Sequence, residues 1–272
     1  RITAVCDLQH ARAEALAAEH DGARPVALAD LLAAGDVDAV LVLTLPRSHA
    51  ELVRAALEAG KHVYVEKPLA VTLADAVGVV ELAERLGLRV GCAPDTVLGT
   101  GIQTARAVVD AGRIGTPHTA TAFMTTPGHE RWHPEPEFYY QPGGGPLADM
   151  GPYYLTSLVH LLGPVARVSG ASMRPSLTRT IGSGPRAGEE FEVAVDTTVA
   201  ALLEHASGAL STVLMSFDSW AARLPSIEVH GTAGSLSVPD PNRFDGMVEL
   251  YSATEPDAGW VDVGTIAGYR DA

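Results

Sequence analysis

The sequence predicts an α/β domain built on a parallel sheet, followed by an α+β domain with a large, mainly antiparallel sheet. Three observations lead there. Up to about residue 93, apolar strand-like runs alternate with helix-like runs across short links, the grammar of a parallel sheet with right-handed crossovers. From about residue 94, alternating runs follow one another with little helix between them, as in an antiparallel sheet. The chain is also long enough: 272 residues with 47% hydrophobic content can bury a large core and divide in two, which we place at 1–93 and 94–272.

Within the first domain, Ile2-Thr3-Ala4-Val5-Cys6-Asp7 is an apolar run closed by an acidic residue. Asp38 to Thr44 is a strand so apolar that both faces should be covered. Ser48 and Glu51 read as a capping-box pair opening the next helix, with Leu52, Ala56 and Leu57 on its apolar side and Gly60 as its stop. His62 to Val65 is a short buried strand, and Glu66-Lys67-Pro68 is its polar end. Thr72 and Asp75 repeat the helix-start signal, and Leu73, Ala76, Val77, Val80 and Ala83 fall at helical spacing. Leu88 to Ala93 closes the domain as a strand.

The second domain opens with a helix over Ile102 to Ala111, stopped at Gly112, and a strand near Thr119 to Met124. Thr125 to Tyr140 is aromatic and proline-rich. Its Trp132, His133, Phe138, Tyr139 and Tyr140 suit a sugar site, where aromatic faces pack on pyranose rings; a surface loop pinned by aromatics is an equal reading. A helix starts near Pro152. Strand-like runs then cover Ala166 to Met173, Glu192 to Leu203, Leu210 to Phe217, Ser226 to His230 and Val248 to Tyr251.

Composition excludes several classes. A net charge of −14 argues against nucleic-acid and anionic-membrane binding, since either needs a basic patch. No apolar run approaches the roughly 20 residues of a spanning helix. The two cysteines, Cys6 and Cys92, lie in apolar runs and read as buried, reduced thiols of a cytoplasmic protein, and no CxxC-type metal spacing occurs.

In open α/β sheets ligands sit at the carboxyl ends of the strands, so the carboxylate, ammonium and proline of Glu66-Lys67-Pro68 mark a site. Pro68 fixes its own φ and keeps Lys67 out of the helical region. Four ordered motifs strengthen that reading. They are Thr44-Leu45-Pro46-Arg47-Ser48-His49, then Ala59-Gly60-Lys61-His62-Val63-Tyr64-Val65-Glu66-Lys67-Pro68, then Gly143-Gly144-Gly145-Pro146-Leu147-Ala148-Asp149-Met150-Gly151, and His230-Gly231-Thr232-Ala233-Gly234-Ser235-Leu236. Together they resemble the glucose–fructose oxidoreductase / inositol dehydrogenase (Gfo/Idh/MocA) family, with Leu45 intervening where that family runs from threonine directly to proline.

The resemblance implies a Rossmann-type first domain and an NAD(P)-dependent oxidoreductase acting on a hydroxyl-bearing carbon of a sugar, cyclitol or polyol. A non-catalytic regulatory homologue that senses dinucleotide or sugar is the alternative. Asp7, ending the second strand of such a fold, would accept hydrogen bonds from the adenosine ribose hydroxyls and repel a 2′-phosphate, favouring NAD over NADP; a helix-capping role competes. Thr44, Leu45 and Pro46 would line the nicotinamide side of the cofactor, with His49 on the helix just beyond, where packing is its commoner role, and Glu66 orienting the backbone or the cofactor amide. Lys67 would sit between nicotinamide and substrate, contacting the cofactor and donating to the reacting hydroxyl. Asp149 matches the aspartate that opens the family's substrate-domain helix, but the family's histidine four residues later is Tyr153 here. A phenol needs an adjacent cation to act as base, which Lys67 could supply. Tyr153 therefore reads as a base, a sugar-binding hydroxyl or a sign of changed chemistry. The same resemblance implies a homodimer or homotetramer through the second-domain sheet. The first strand of such a fold and its Gly-x-Gly-x-x-Gly loop are missing, so the first domain reads as a truncated Rossmann-type domain and the chain as a fragment truncated at both ends.

Overall fold

In the computed structural model, which describes residues 1–269, the chain divides into two units, Arg1–Ala93 and a second from Pro94. The first contains β1 (Ala4–Val5), α1 (His10–Ala18), β2 (Arg24–Pro25), α2 (Leu28–Ala33), β3 (Ala39–Val42), α3 (Pro46–Glu58), β4 (His62–Val65), α4 (Leu73–Leu86) and β5 (Val90–Cys92). Every strand pair in it is parallel: β1 with β2, and β3-β4-β5 as a second sheet. Parallel neighbours cannot be joined by a tight turn, so a helix follows each of the first four strands.

Local chemistry sets the ends of α3 and α4. Pro46 takes the first helical position after Leu45 as N-cap, where its fixed φ helps and its missing N–H costs nothing. The capping-box expectation for Ser48 and Glu51 is thereby corrected, because both lie inside a helix that has already begun. At the other end Gly60 adopts φ +78, and the N–H groups of Gly60 and Lys61 reach the carbonyls of Leu57 and Ala56, each at 2.9 Å. That is the paired-bond termination a left-handed glycine permits. For α4 the expected start holds: Thr72 Oγ1 accepts the Asp75 N–H at 3.1 Å and donates to the Asp75 carboxylate at 2.7 Å.

The first unit's core sits on one side of the three-stranded sheet, where Val42, Val63 and Val65 meet Val53, Ala56 and Leu57 of α3 and Val79, Leu82 and Ala83 of α4. Full burial of Leu57 contributes about 2 kcal/mol. Three expectations change here. β3 is not covered on both faces, since Leu41 and Leu43 are 61% and 67% exposed while α3 and α4 pack on the Val42 side. The inward stripe of α4 is Val79, Leu82 and Ala83; Leu73, Val77 and Val80 are exposed, because this helix is apolar on more than one side and spacing cannot choose between them. Cys6 is exposed and Cys92 half-buried, both as free thiols. Cys6 lies just beyond the last residue of β1, outside the packed face.

The second unit contains α5 (Thr100–Asp110), β6 (Pro117–Thr125), α6 (Gly145–Asp149), α7 (Gly151–Leu162), β7 (Val165–Met173), β8 (Thr178–Thr180), β9 (Glu190–Glu192), β10 (Thr198–His205), β11 (Leu210–Ser216), β12 (Ile227–Gly231), β13 (Gly234–Val238), β14 (Glu249–Ser252) and β15 (Trp260–Asp262). Eight of these strands form one sheet in the order β15-β14-β13-β12-β6-β11-β10-β7, antiparallel throughout except for the parallel pair β6–β11. β8 and β9 pair separately. Ile102, Ala105 and Val108 of α5 and Tyr154, Leu158 and Leu161 of α7 share a core with sheet residues such as Ala122, Val213 and Met215.

The single run expected over Glu192 to Leu203 is two strands. Between them Val193 donates to Leu177 and Ala194 to Tyr140, so these amides serve loop carbonyls and leave the ladder. The motif at His230 to Leu236 is the turn that joins β12 to β13, with Gly231 opposite Gly234. Among the described residues no helix is long and apolar enough to cross a membrane.

Candidate active site

In the first unit, the carboxyl ends of β3, β4 and β5 gather the residues singled out by sequence. β4 runs into Glu66-Lys67-Pro68, whose Lys67–Pro68 peptide is cis. The turn is pinned on three sides. Glu66 N–H bonds the Val42 carbonyl at 2.9 Å, carrying the ladder one residue past β3, and Ala93 N–H bonds Val65 at 3.0 Å. The Glu66 carboxylate folds back to accept the Lys67 N–H at 3.0 Å. Lys67 itself is half-buried. Cys92 lies beside the turn, its thiol pushed up to about 11 by burial first and by the Glu66 charge second.

Thr44 follows β3 in the same neighbourhood. Ser48 Oγ bridges back to Thr44 Oγ1 at 2.8 Å and to the Leu45 carbonyl at 2.9 Å, closing the entry to α3. His49, on the helix beside the expected nicotinamide segment, is fully buried, as the packing reading expects. Its Nδ1 lies 2.7 Å from the Pro68 carbonyl and its Nε2 2.8 Å from the Thr44 carbonyl. With both nitrogens on backbone oxygens, His49 ties the end of β3 to the turn after β4. Asp7, past β1, is exposed and gives one carboxylate oxygen to the Gln9 N–H at 2.7 Å. That bond uses Oδ1; the second oxygen leaves an exposed acceptor of the kind a ribose diol would need.

The second unit holds Asp149 as the last residue of α6 and Tyr153 in the first turn of α7, with Met150 at the break between them. Pro152 lies in that first turn, where it is tolerated. Tyr153 is half-buried against the main core, whereas Tyr154 is buried and donates to Asp240 at 3.1 Å. His160 sits in the last turn of α7 beside Gln103 at 3.2 Å, and burial, then Arg106, lowers its affinity for a proton.

Two features of this unit escaped the sequence reading. The first is His129, whose Nε2 lies 3.2 Å from Asp149 Oδ2 with both side chains largely buried. Its ring packs against Trp132, Tyr139 and Phe217 at centroid separations of 5.3, 4.6 and 4.4 Å. Tyr139 feels the same carboxylate: burial first, then Asp149, raises its phenol above the ordinary range. The second is a charge network beneath that aromatic loop. Arg179 spans Glu130 (2.8 Å) and Asp218, Tyr140 donates to Glu130, and Thr197 and Thr198 donate to Asp218 at 2.8 and 2.6 Å. Gly128, at φ +109, is required here, because a side chain would collide with the Glu130 carboxylate and the Arg179 guanidinium. A histidine followed 20 residues later by the aspartate it meets carries no local spacing signal. Nor does an arginine 49 residues from its glutamate.

Residues 1–93 match the family model described as an oxidoreductase family with NAD-binding Rossmann fold. Residues 102–237 match the GFO/IDH/MocA C-terminal domain. Among curated proteins, inositol 2-dehydrogenase 3 of Saccharopolyspora erythraea is 32% identical over 89% of this chain and 66% of its own length. A dTDP-3,4-didehydro-2,6-dideoxy-α-D-glucose 3-reductase of Streptomyces violaceoruber is 36% identical over 67% of this chain and 53% of its own. The chain thus spans between about half and two thirds of those relatives. Among solved structures, an NAD binding oxidoreductase from Klebsiella pneumoniae superposes with TM-score 0.81 at 25% identity, covering 99% of this chain and 75% of that one. Levoglucosan dehydrogenase in complex with NADH and L-sorbose has the same fold, with TM-score 0.82 at 21% identity over 98% of this chain and 71% of its own. With both units matched in order, the chain belongs to the Gfo/Idh/MocA family of oxidoreductases.

Proposed function

We propose that this protein is an NAD-dependent oxidoreductase that moves a hydride between the nicotinamide and a hydroxyl-bearing carbon of a sugar, cyclitol or polyol. The observation that carries the reading is Lys67, a half-buried ammonium on a rigidly pinned turn at the carboxyl end of β4, within the unit that matches an NAD-binding fold. Relatives named as dehydrogenases or reductases of inositol, D-xylose, 1,5-anhydro-D-fructose and a dTDP-sugar support the substrate class.

The donor set suits a dinucleotide. Asp7 accepts from the adenosine ribose and disfavours a 2′-phosphate, so NAD is preferred to NADP. Thr44, Leu45 and Pro46 present the nicotinamide side, and Glu66 holds the Lys67 backbone. When bound, the cofactor accepts or supplies the hydride. Lys67 donates to the reacting hydroxyl and stabilises negative charge on it as its proton departs. Asp149, where α6 ends, and Tyr153, in the first turn of α7, serve as the acid–base and substrate-holding groups. His49 holds the Thr44 and Pro68 carbonyls and so positions these residues without touching cofactor.

A homodimer or homotetramer through the second-unit sheet is part of the same proposal. Val168 and Met173 on the edge strand β7 are 61% and 55% exposed, and Leu147, Leu155, Val159 and Val199 line an apolar groove beside them. Incubating the full-length protein with NAD or NADP and a panel of myo-inositol, D-xylose and 1,5-anhydro-D-fructose, with nicotinamide absorbance as readout, tests the reading. Turnover of at least one compound with NAD preferred is expected. Dinucleotide binding without turnover of any would overturn the enzyme in favour of a sensor.

A further inference from the structure

Three buried or half-buried histidines differ in what a second ring proton would do to their contacts. His49 lies between two carbonyls, so an added proton makes a bond. His205 lies between the Gly163 carbonyl at 2.8 Å and Ser211 Oγ at 2.7 Å, and the hydroxyl can turn from donor to acceptor. His160 has no such freedom. Its Nε2 lies 3.2 Å from Gln103 Nε2, and that same amide nitrogen lies 2.7 Å from the Val97 carbonyl. A carbonyl only accepts, so the Gln103 group placed there is the NH2, and its second hydrogen faces His160. His160 Nε2 must therefore hold a lone pair, which leaves the ring proton on Nδ1. The contact joins three elements of the second unit: Val97 lies in the turn Asp95–Leu98, Gln103 in α5 and His160 in α7. Arg106, on the next turn of α5, donates to the His160 carbonyl and is paired with Asp110 at 2.7 Å.

We propose that Val97, Gln103 and His160 form an acid-released latch, closed while His160 is neutral, that ties α5 and the turn Asp95–Leu98 to α7. The latch is independent of the oxidoreductase reading above. Protonation of His160 sets N–H against N–H beside a guanidinium. If the Gln103 amide turns over to offer its oxygen, the Val97 carbonyl loses its donor, so one of the two contacts is given up in either case. Burial first and Arg106 second lower the proton affinity of His160, against Asp110; its place in the last turn of α7, where a cation is favoured, does not offset them. The titratable groups on the packed elements are Arg106 and Asp110 of α5, Tyr153 and Tyr154 at the far end of α7, and Asp95 of the turn and His118 of β6, both exposed. The sign follows from the lowered value. Above histidine's ordinary value of about 6.5 the ring is neutral in both open and closed forms and the latch is intact. As pH falls the open form takes the proton first, and closure is lost as pH passes through the folded value. Arg106 holds the Asp110 carboxyl below its usual range, so that ion pair persists through the window.

The test is amide hydrogen exchange of the full-length protein at about pH 7.5 and about pH 5, on either side of histidine's ordinary value and corrected for the intrinsic exchange rate. The Gly99 and Gln103 N–H groups, bonded to the Thr96 and Gly99 carbonyls, report on the turn and the start of α5. Their protection should fall at least about tenfold on acidification, while β11 and β12 stay unchanged. His160→Gln supplies an amide that accepts from Gln103 and takes no proton, so protection should be kept at both pH values. Gln103→Met removes the donor and should show the low protection at both. Gln103→Glu guards against misfolding of the other two, since it keeps the shape and sets a carboxylate beside the ring. In that variant the His160 titration, followed by NMR, should move about one unit or more above the parent's. Parent protection that ignores pH, an acid loss retained in His160→Gln, parent-like protection in Gln103→Met, or a parent His160 that titrates no lower than a free histidine would each overturn the latch.

Discussion

The two units hold their candidate residues by different means. In the first, one buried imidazole, His49, is wedged between two backbone carbonyls and a carboxylate folds onto its neighbour's N–H. In the second, a buried guanidinium, Arg179, is caught between Glu130 and Asp218, with Tyr140, Thr197 and Thr198 satisfying the remaining oxygens. The difference is one of stakes. Losing a clamp on carbonyls leaves polar groups unpaired, whereas losing one member of a buried ion network leaves charge unpaired, which costs more.

Arg179→Met should therefore produce the largest effect, about 3–5 kcal/mol of the second unit's stability. All three tryptophans, Trp132, Trp220 and Trp260, lie in that unit, so tryptophan fluorescence in a urea titration reads it directly. An unmoved midpoint would mean that the network holds nothing. His49→Ala comes next, at about 1–3 kcal/mol for a buried carbonyl that loses its imidazole donor. Hydrogen exchange should show faster opening at the starts of α3 and the turn after β4, with β11 and β12 unaffected.

Thr72→Ala sharpens the comparison at a smaller scale. It removes a solvent-exposed cap and should cost about 1 kcal/mol, seen as fraying of α4's first turn. Asp75 shares that cap, and hydrogen bonds from Arg54 first and Thr72 second hold its carboxyl below the usual range. A depressed carboxylate contributes stability above its unfolded value and loses it as pH falls through the folded one, so in the parent protein the same turn should begin to fray on acidification. Smallest is a difference in reactivity. Cys6 is exposed, while Cys92 is half-buried with a thiol near 11, so an alkylating reagent at neutral pH should label Cys6 first. Faster labelling of Cys92 would show that β5 opens readily.

Where the sequence was legible, the signal was local. Gly60 stops α3 and Thr72 starts α4 through bonds spanning a few residues, and His62 to Val65 has the expected bounds. Where it was not, tertiary choices decided. Ser48 and Glu51 looked like a cap until Pro46 claimed the first helical position. The apolar residues of β3 and α4 did not say which side would be packed, and Leu41 and Leu73 ended outward. Strands of three residues, β8 and β15, are too short for any periodicity. Lys67, Asp149 and Tyr153 were singled out through motifs, whereas the contacts of His129 and Arg179 were passed over. Their partners are 20 and 49 residues away, and only folding of the aromatic loop brings them together.

The central claim is that Lys67, between nicotinamide and substrate, matters more for the chemical step than for holding the cofactor. The direct measurement is Lys67→Met in the full-length protein, with turnover and NAD affinity determined side by side. Turnover should fall by at least about a hundredfold, since acid–base and electrostatic help are lost together, while the NAD dissociation constant stays within a few-fold. Turnover near that of the parent, or a loss of activity explained entirely by lost NAD binding, would contradict the account and leave Glu66-Lys67-Pro68 a structural turn.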